Sequence, residues 1–295
     1  MNAQAQENAH AQLTAESLRS GKTGADENFP VASLLIDAPL RPIVLAFYDF
    51  ARSGDDVADS PTLSPTQKHA LLDQMDDSLI GKSDAEPLGV KLRAALAERR
   101  VTNQHARDLL NAFRLDVDKN RYASWDELID YCRLSAMPVG RFMLDVHGES
   151  ESLWQANDDI CAALQINNHL QDCVKDYKAL DRVYIPQDAL AAAGARTEEL
   201  DGPKSSPALL SCLQNLARKN RELLERGAGL GGAVKNFRLG LEIAVTVAHA
   251  RKIADLLIAN DPLCEKVRLS KSEMIGGALA AAGLAAVSRW TGRAA

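Results

Sequence analysis

A chain of 295 residues that is 46% hydrophobic has ample material for a core, and its net charge is −6. With no basic stripe along any segment, binding to nucleic acid is excluded as an expectation. Five cysteines, Cys132, Cys161, Cys173, Cys212 and Cys264, are scattered and show no C-x-x-C pair. They fit buried apolar roles in a reducing compartment better than disulfides or zinc.

Residues 1–23 are polar and carry no apolar run of the signal-peptide kind, which predicts a disordered lead-in. A single all-α domain is expected over 24–288, with a tail over 289–295. Apolar residues recur at helical spacing over 40–54, 65–80, 87–99, 103–116, 124–147, 152–179, 207–227, 235–260 and 271–288. Ser64-Pro65 and Ser124-Trp125-Asp126-Glu127 read as helix starts, and Gly81 and Gly227 as stops. Pro138 should kink the helix that contains it. No period-two run or Asn-Gly turn suggests a sheet.

Gly227 to Gly232 formally contains G-x-G-x-x-G, but a charged helical stretch, Arg218 to Arg226, precedes it. The dinucleotide fingerprint needs a strand there. A helix–helix connection is therefore expected, and no nicotinamide site. The last predicted helix includes an uncharged Ala/Gly/Leu run from Ile275 to Val287, followed by Arg289, Trp290 and Arg293. It is too short to span a bilayer. A closing core helix is the first reading, and peripheral membrane contact the second.

Two acidic stretches carry the chemistry. In the first, Tyr48, Arg52, Asp55, Asp56 and Asp59 form a continuous polar stripe along one helix face. In the second, Gln165, Asn168, Asp172 and Asp176 do the same. A solvated acidic helix end would explain either stretch alone. Two at matching spacing suggest instead a polyanion held by Mg²⁺, whose shell hard oxygen ligands and substrate phosphates complete together. His169 lies beside Asn168 and off the acidic face, where a hydrogen-bonded structural histidine is expected.

The chain resembles the squalene/phytoene synthase family of all-α isoprenoid synthases from about Gly21 to about Met274. The resemblance is carried by the Tyr48 to Asp59 stripe, by Tyr131-Cys132-Arg133-Leu134-Ser135-Ala136-Met137-Pro138-Val139-Gly140-Arg141, by the Asn168/Asp172/Asp176 helix, and by Arg182-Val183-Tyr184-Ile185-Pro186. Asp26 to Ser33, Asn168 to Cys173 and Val267 to Lys271 are similar to the branch of bacterial hopanoid biosynthesis that captures a rearranged cation with water. The resemblance implies a helical bundle with a central cavity, Mg²⁺ as cofactor and no NADPH. The implied substrate is presqualene diphosphate, in the cytoplasm or at the inner membrane face. A head-to-head condensing synthase is the alternative.

Under that resemblance Asp55, Asp56, Asp59, Asp172 and Asp176 would carry metal. Arg52, Gln165, Asn168, Lys266 and Arg268 would bind substrate, and Phe29, Tyr48, Tyr131 and Tyr184 would line the cation site. The chain departs from the family's second motif at Gln171 and Lys175, where an Arg and a Glu are usual. Losing one carboxylate favours a site that ionises a single preformed diphosphate.

Overall fold

The structure, a computed structural model, describes residues 14–15 and 36–291, with side-chain surroundings through residue 283. Phe29, the stretch 26–33, and the side chains of Arg289, Trp290 and Arg293 lie outside that description. The chain gathers into two compact units. Among the described residues, one comprises 14–15 and 38–118; the other comprises 36–37 and 119–291.

The first unit contains α1 (Arg41–Asp59), α2 (Pro65–Ile80), α3 (Pro87–Arg99) and α4 (Gln104–Asp118). The Ser64 hydroxyl accepts from the Gln67 N–H, Pro65 opens the helix, and Gly81 ends it at φ 83°. That left-handed turn is open to glycine at no steric cost. Helices α1 and α2 each pack against α3 and α4. Phe50, Leu72, Met75, Leu79, Leu92 and Leu110 are almost wholly buried among them. Each such side chain contributes roughly 1.5–3 kcal/mol by leaving water. Arg107 on α4 adds a two-pronged pair to Asp76 on α2, at 2.8 and 3.3 Å.

The second unit contains α5 (Trp125–Ser135), α6 (Met137–Val146), α7 (Trp154–Gln171), α8 (Cys173–Leu180) and α9 (Gln187–Ala193). The chain then continues through α10 (Pro207–Gly227), α11 (Leu230–Ala233), α12 (Phe237–Ala259) and α13 (Lys271–Thr291). Helix α7 is central: α5, α6, α10 and α12 all pack on it. A buried amide relay fixes three of these helices. Asn220 donates to the carbonyl of Ala163 and to Asn167 Oδ1, both at 2.9 Å, and Asn167 donates to the carbonyl of Ala250 at 2.9 Å. Such polar ties specify register because the buried amides would be costly unpaired. Gly227 lets α10 approach α7 closely, since a Cβ there would meet Ile160 and the Ala156 carbonyl.

Three expectations are corrected. The predicted helix 124–147 ends at Ser135 and restarts at Met137, so Pro138 opens α6 and does not kink a continuous rod. The predicted helix 152–179 is interrupted at Asp172, whose φ of −101° and ψ of 10° leave helical geometry. Helix α13 does not close a core: Ile275 and Leu279 are 63% and 71% exposed. Through residue 283 every side chain of this helix is exposed or only partly buried. Among the described residues no helix is long and apolar enough to cross a membrane.

The glycine-rich segment joins α10 to α12 through the short α11, as expected of a helix–helix connection. Among the described residues there is no strand. One isolated parallel bridge pairs Arg121 with Val183.

Candidate active site

In the first unit α1 runs unbroken to Asp59, so the five polar residues do share one helix. Arg52 reaches both neighbouring acids, with Nη1 2.8 Å from Asp55 Oδ2 and Nη2 2.7 Å from Asp56 Oδ1. The Asp55 carboxyl is raised to about 7, by burial first, then by the charge of Asp59, with Arg52 opposing and Asp116 and Asp56 adding smaller shares. Asp116, near the end of α4 and itself buried, was not singled out from the sequence. Its signal was available: an acid in the last turn of a helix is disfavoured by the macrodipole. Tyr48 is half-buried on the same helix.

This is a group of carboxylates crowded together with one guanidinium, the donor chemistry that suits a hard divalent cation. Among the described residues no three His, Cys, Asp or Glu side chains are placed to hold a metal by themselves. Mg²⁺ commonly needs only one or two carboxylates when phosphates and water supply the rest of its shell.

In the second unit Gln165 and Asn168 sit half-buried on α7, Asp172 occupies the break, and Asp176 follows on α8. The Asp172 N–H still donates to the Asn168 carbonyl, and the Asp176 N–H to the Asp172 carbonyl, each at 2.9 Å. The i, i+4 spacing therefore survives the break. Two cations attend Asp172: Arg268 Nη2 at 3.3 Å and Lys175 Nζ at 3.8 Å. Gln171, where the family usually has Arg, donates 2.5 Å to the Val267 carbonyl and so holds the Arg268 segment against the end of α7. Lys266 is exposed in that same segment.

Tyr131 and Tyr184 belong to a buried aromatic cluster that also includes Tyr122 and His169. Tyr122 and Tyr184 stack with centroids 5.5 Å apart, and Tyr131 lies 5.3 Å from each. The backbone explains the placement. The Val183 N–H donates to the Asn120 carbonyl and the Gln187 N–H to the Tyr122 carbonyl, both at 2.9 Å, which lays 183–187 beside 120–123.

His169 departs from expectation. Its ring stacks on Tyr184 at 3.5 Å, yet neither ring nitrogen has a hydrogen-bond partner among the described residues. Burial, and after it the Arg182 charge, lower it to about 3. The imidazole is therefore neutral. Burial likewise pushes the Cys132, Cys161 and Cys173 thiols up to about 12, in keeping with apolar roles and unlike activated nucleophiles.

A family model described as squalene/phytoene synthase matches residues 22–273. A hydroxysqualene synthase of Rhodopseudomonas palustris is 55% identical over 89% of this chain and 90% of its own. One from Sinorhizobium fredii is 52% identical over 87% and 88%. The crystal structure of squalene synthase HpnC from Alicyclobacillus acidocaldarius superposes with a TM-score of 0.70 at 26% identity, covering 85% of this chain and 94% of that one.

Proposed function

The chain belongs to the squalene/phytoene synthase family, and from that premise we propose that it converts presqualene diphosphate and water into hydroxysqualene and diphosphate. The observation that carries the proposal is the 55% identity to a hydroxysqualene synthase across nearly the whole of both chains. The changes at Gln171 and Lys175 support it, because they leave one carboxylate fewer in the second stretch.

Heterolysis of the substrate's C–O bond sends the electron pair out with the diphosphate, so the site must stabilise growing negative charge. Bound Mg²⁺ would supply Lewis-acid neutralisation of that charge. We assign its binding to Asp55, Asp56, Asp59, Asp172 and Asp176. Arg52, Lys266 and Arg268 would grip diphosphate oxygens as cations. Gln165 and Asn168 would orient them through amide N–H groups. Phe29, Tyr48, Tyr131 and Tyr184 would face the carbocation, to which aromatic ring faces are attractive. No NADPH is required on this route, because water ends the cation and a hydride does not.

We also propose a cytoplasmic protein that touches the inner membrane face peripherally through α13, since Ile275 and Leu279 offer an apolar surface. Flotation with anionic vesicles tests this. Removal of residues 271–295 should abolish co-flotation.

The test of the reaction is incubation with Mg²⁺ and presqualene diphosphate in ¹⁸O-labelled water, with and without NADPH. The expected product is an alcohol carrying the label in both arms. Farnesyl diphosphate alone should remain unconsumed. A condensed product from farnesyl diphosphate, or an unlabelled hydrocarbon seen only with NADPH, would replace this proposal with the condensing alternative.

A further inference from the structure

His169 is only 7% exposed, and both its ring nitrogens lack partners among the described residues. Buried polar atoms in folded proteins are nearly always satisfied, and an exception calls for a ligand, an ion or a water. A neutral imidazole presents one N–H donor and one acceptor nitrogen. An ion is a poor candidate: the ring lies face to face with Tyr184 at 3.5 Å and 16°, with Tyr131 at 6.0 Å, and among the described residues the charge that acts on it is the cation Arg182. A small neutral molecule that can both give and take a hydrogen bond suits the position. Water is such a molecule, and buried waters typically bridge about three polar groups.

We propose that His169 holds the water that captures the carbocation, within the cluster formed by Tyr122, Tyr131 and Tyr184. The inference rests on the hydroxysqualene-forming reading above and adds to it the residue that positions the second substrate. The water donates one hydrogen to the acceptor nitrogen, which leaves an oxygen lone pair for the cation. A C–O bond then forms and one O–H bond of the water breaks. The proton is released to the diphosphate, the base that ionisation has just produced. No electron acceptor or donor is needed. The surrounding rings favour positive charge on their faces. Without the imidazole, the cation would lose a proton to give a hydrocarbon.

The variants His169→Phe and His169→Gln separate this role from mere packing. Phe preserves a flat ring on Tyr184 and removes both nitrogens; Gln restores a donor and an acceptor. Each is given presqualene diphosphate and Mg²⁺ in ¹⁸O-labelled water, and the ratio of labelled alcohol to hydrocarbon is measured alongside total consumption. The expected result is at least a tenfold fall in that ratio for H169F, with partial recovery in H169Q. A merely structural histidine would change total consumption and leave the ratio alone, and that outcome overturns the inference while the proposed function stands. Unmodified protein that makes no alcohol defeats the proposed function itself. Should both variants fail to fold, a crystal structure of the unmodified protein decides. Water bonded to a His169 nitrogen supports the role, and a protein group bonded to both nitrogens ends it.

Discussion

The two acidic stretches share a four-residue spacing and differ in almost everything else. On α1 the acids stand on an unbroken helix, and one guanidinium serves Asp55 and Asp56 together. Burial first, and then the neighbouring carboxylates against the opposing charge of Arg52, raise the Asp55 carboxyl to about 7. At the α7–α8 junction the helix breaks at Asp172, and two cations converge on that single acid. Equal spacing thus produces one region where a single guanidinium bridges two neighbouring acids and another where two cations meet a single acid. On the proposed function, the α1 stretch would hold metal chiefly through its acids, and the junction would meet phosphate as well as metal through Arg268 and Asp172.

The largest effect should come from deleting either region's acid. Asp55→Ala and Asp172→Ala should each reduce turnover of presqualene diphosphate by 10³-fold or more, about 4 kcal/mol of transition-state stabilisation. Circular dichroism should show helicity unchanged, because neither side chain lies in a core. Near-normal turnover in either variant would remove that region from the chemistry. Chelation by EDTA should silence the unmodified protein equally, and Mg²⁺ should restore it.

A smaller effect distinguishes the cations. Arg268→Gln should lower kcat/KM about tenfold, roughly 1.4 kcal/mol, because its guanidinium is free to leave Asp172 for a phosphate when metal arrives. Lys175→Gln should change kcat/KM by no more than about threefold, since exposed ion pairs contribute ~0–1 kcal/mol and Lys175 is 66% exposed. Equal effects from the two variants would contradict the division of labour drawn at the junction.

The smallest effect is on stability and follows from the sign of the Asp55 shift. A carboxyl raised above its ordinary 3.8 binds its proton more tightly folded than unfolded. It therefore favours the fold below about pH 4, and that contribution is lost as pH rises to about 7. Asp55→Asn removes this loss. Without Mg²⁺ the variant should melt about 2 °C higher than the parent at pH 8, with the two nearly equal at pH 4. The figure corresponds to about 1 kcal/mol after discounting for solvent, since the Asp55 side chain is 37% exposed. A parent that melts higher than the variant at pH 8 would show that the α1 acids are not crowded.

Much of this comparison was legible in the residues. Caps and stops fixed several helices closely, as at Ser64 and Gly81, because local backbone chemistry determines those ends. The break at Asp172 was not, since its i, i+4 hydrogen bonds persist and hydrophobic periodicity runs straight through. Asp116 was missed because its partners lie on another helix, distant in sequence. The bridge between 120–123 and 183–187 is too short to show any period. The reading of His169 failed for a different reason. Its place off the acidic face implied an ordinary hydrogen-bonded histidine, and only the packing reveals that Tyr184 covers the ring while neither nitrogen finds a partner among the described residues.

The bridge has a consequence for how the chain reaches its native state. It closes the segment that begins at Asn120 with one that the ribosome delivers only after α5 to α8 have been made. Contacts so far apart in sequence carry a loop-closure cost that must be met before they reward the fold. The aromatic cluster shares that cost, because the same bridge brings Tyr184 onto Tyr122. Nascent chains halted before Gln187 would hold α7 without Tyr184 locked over His169.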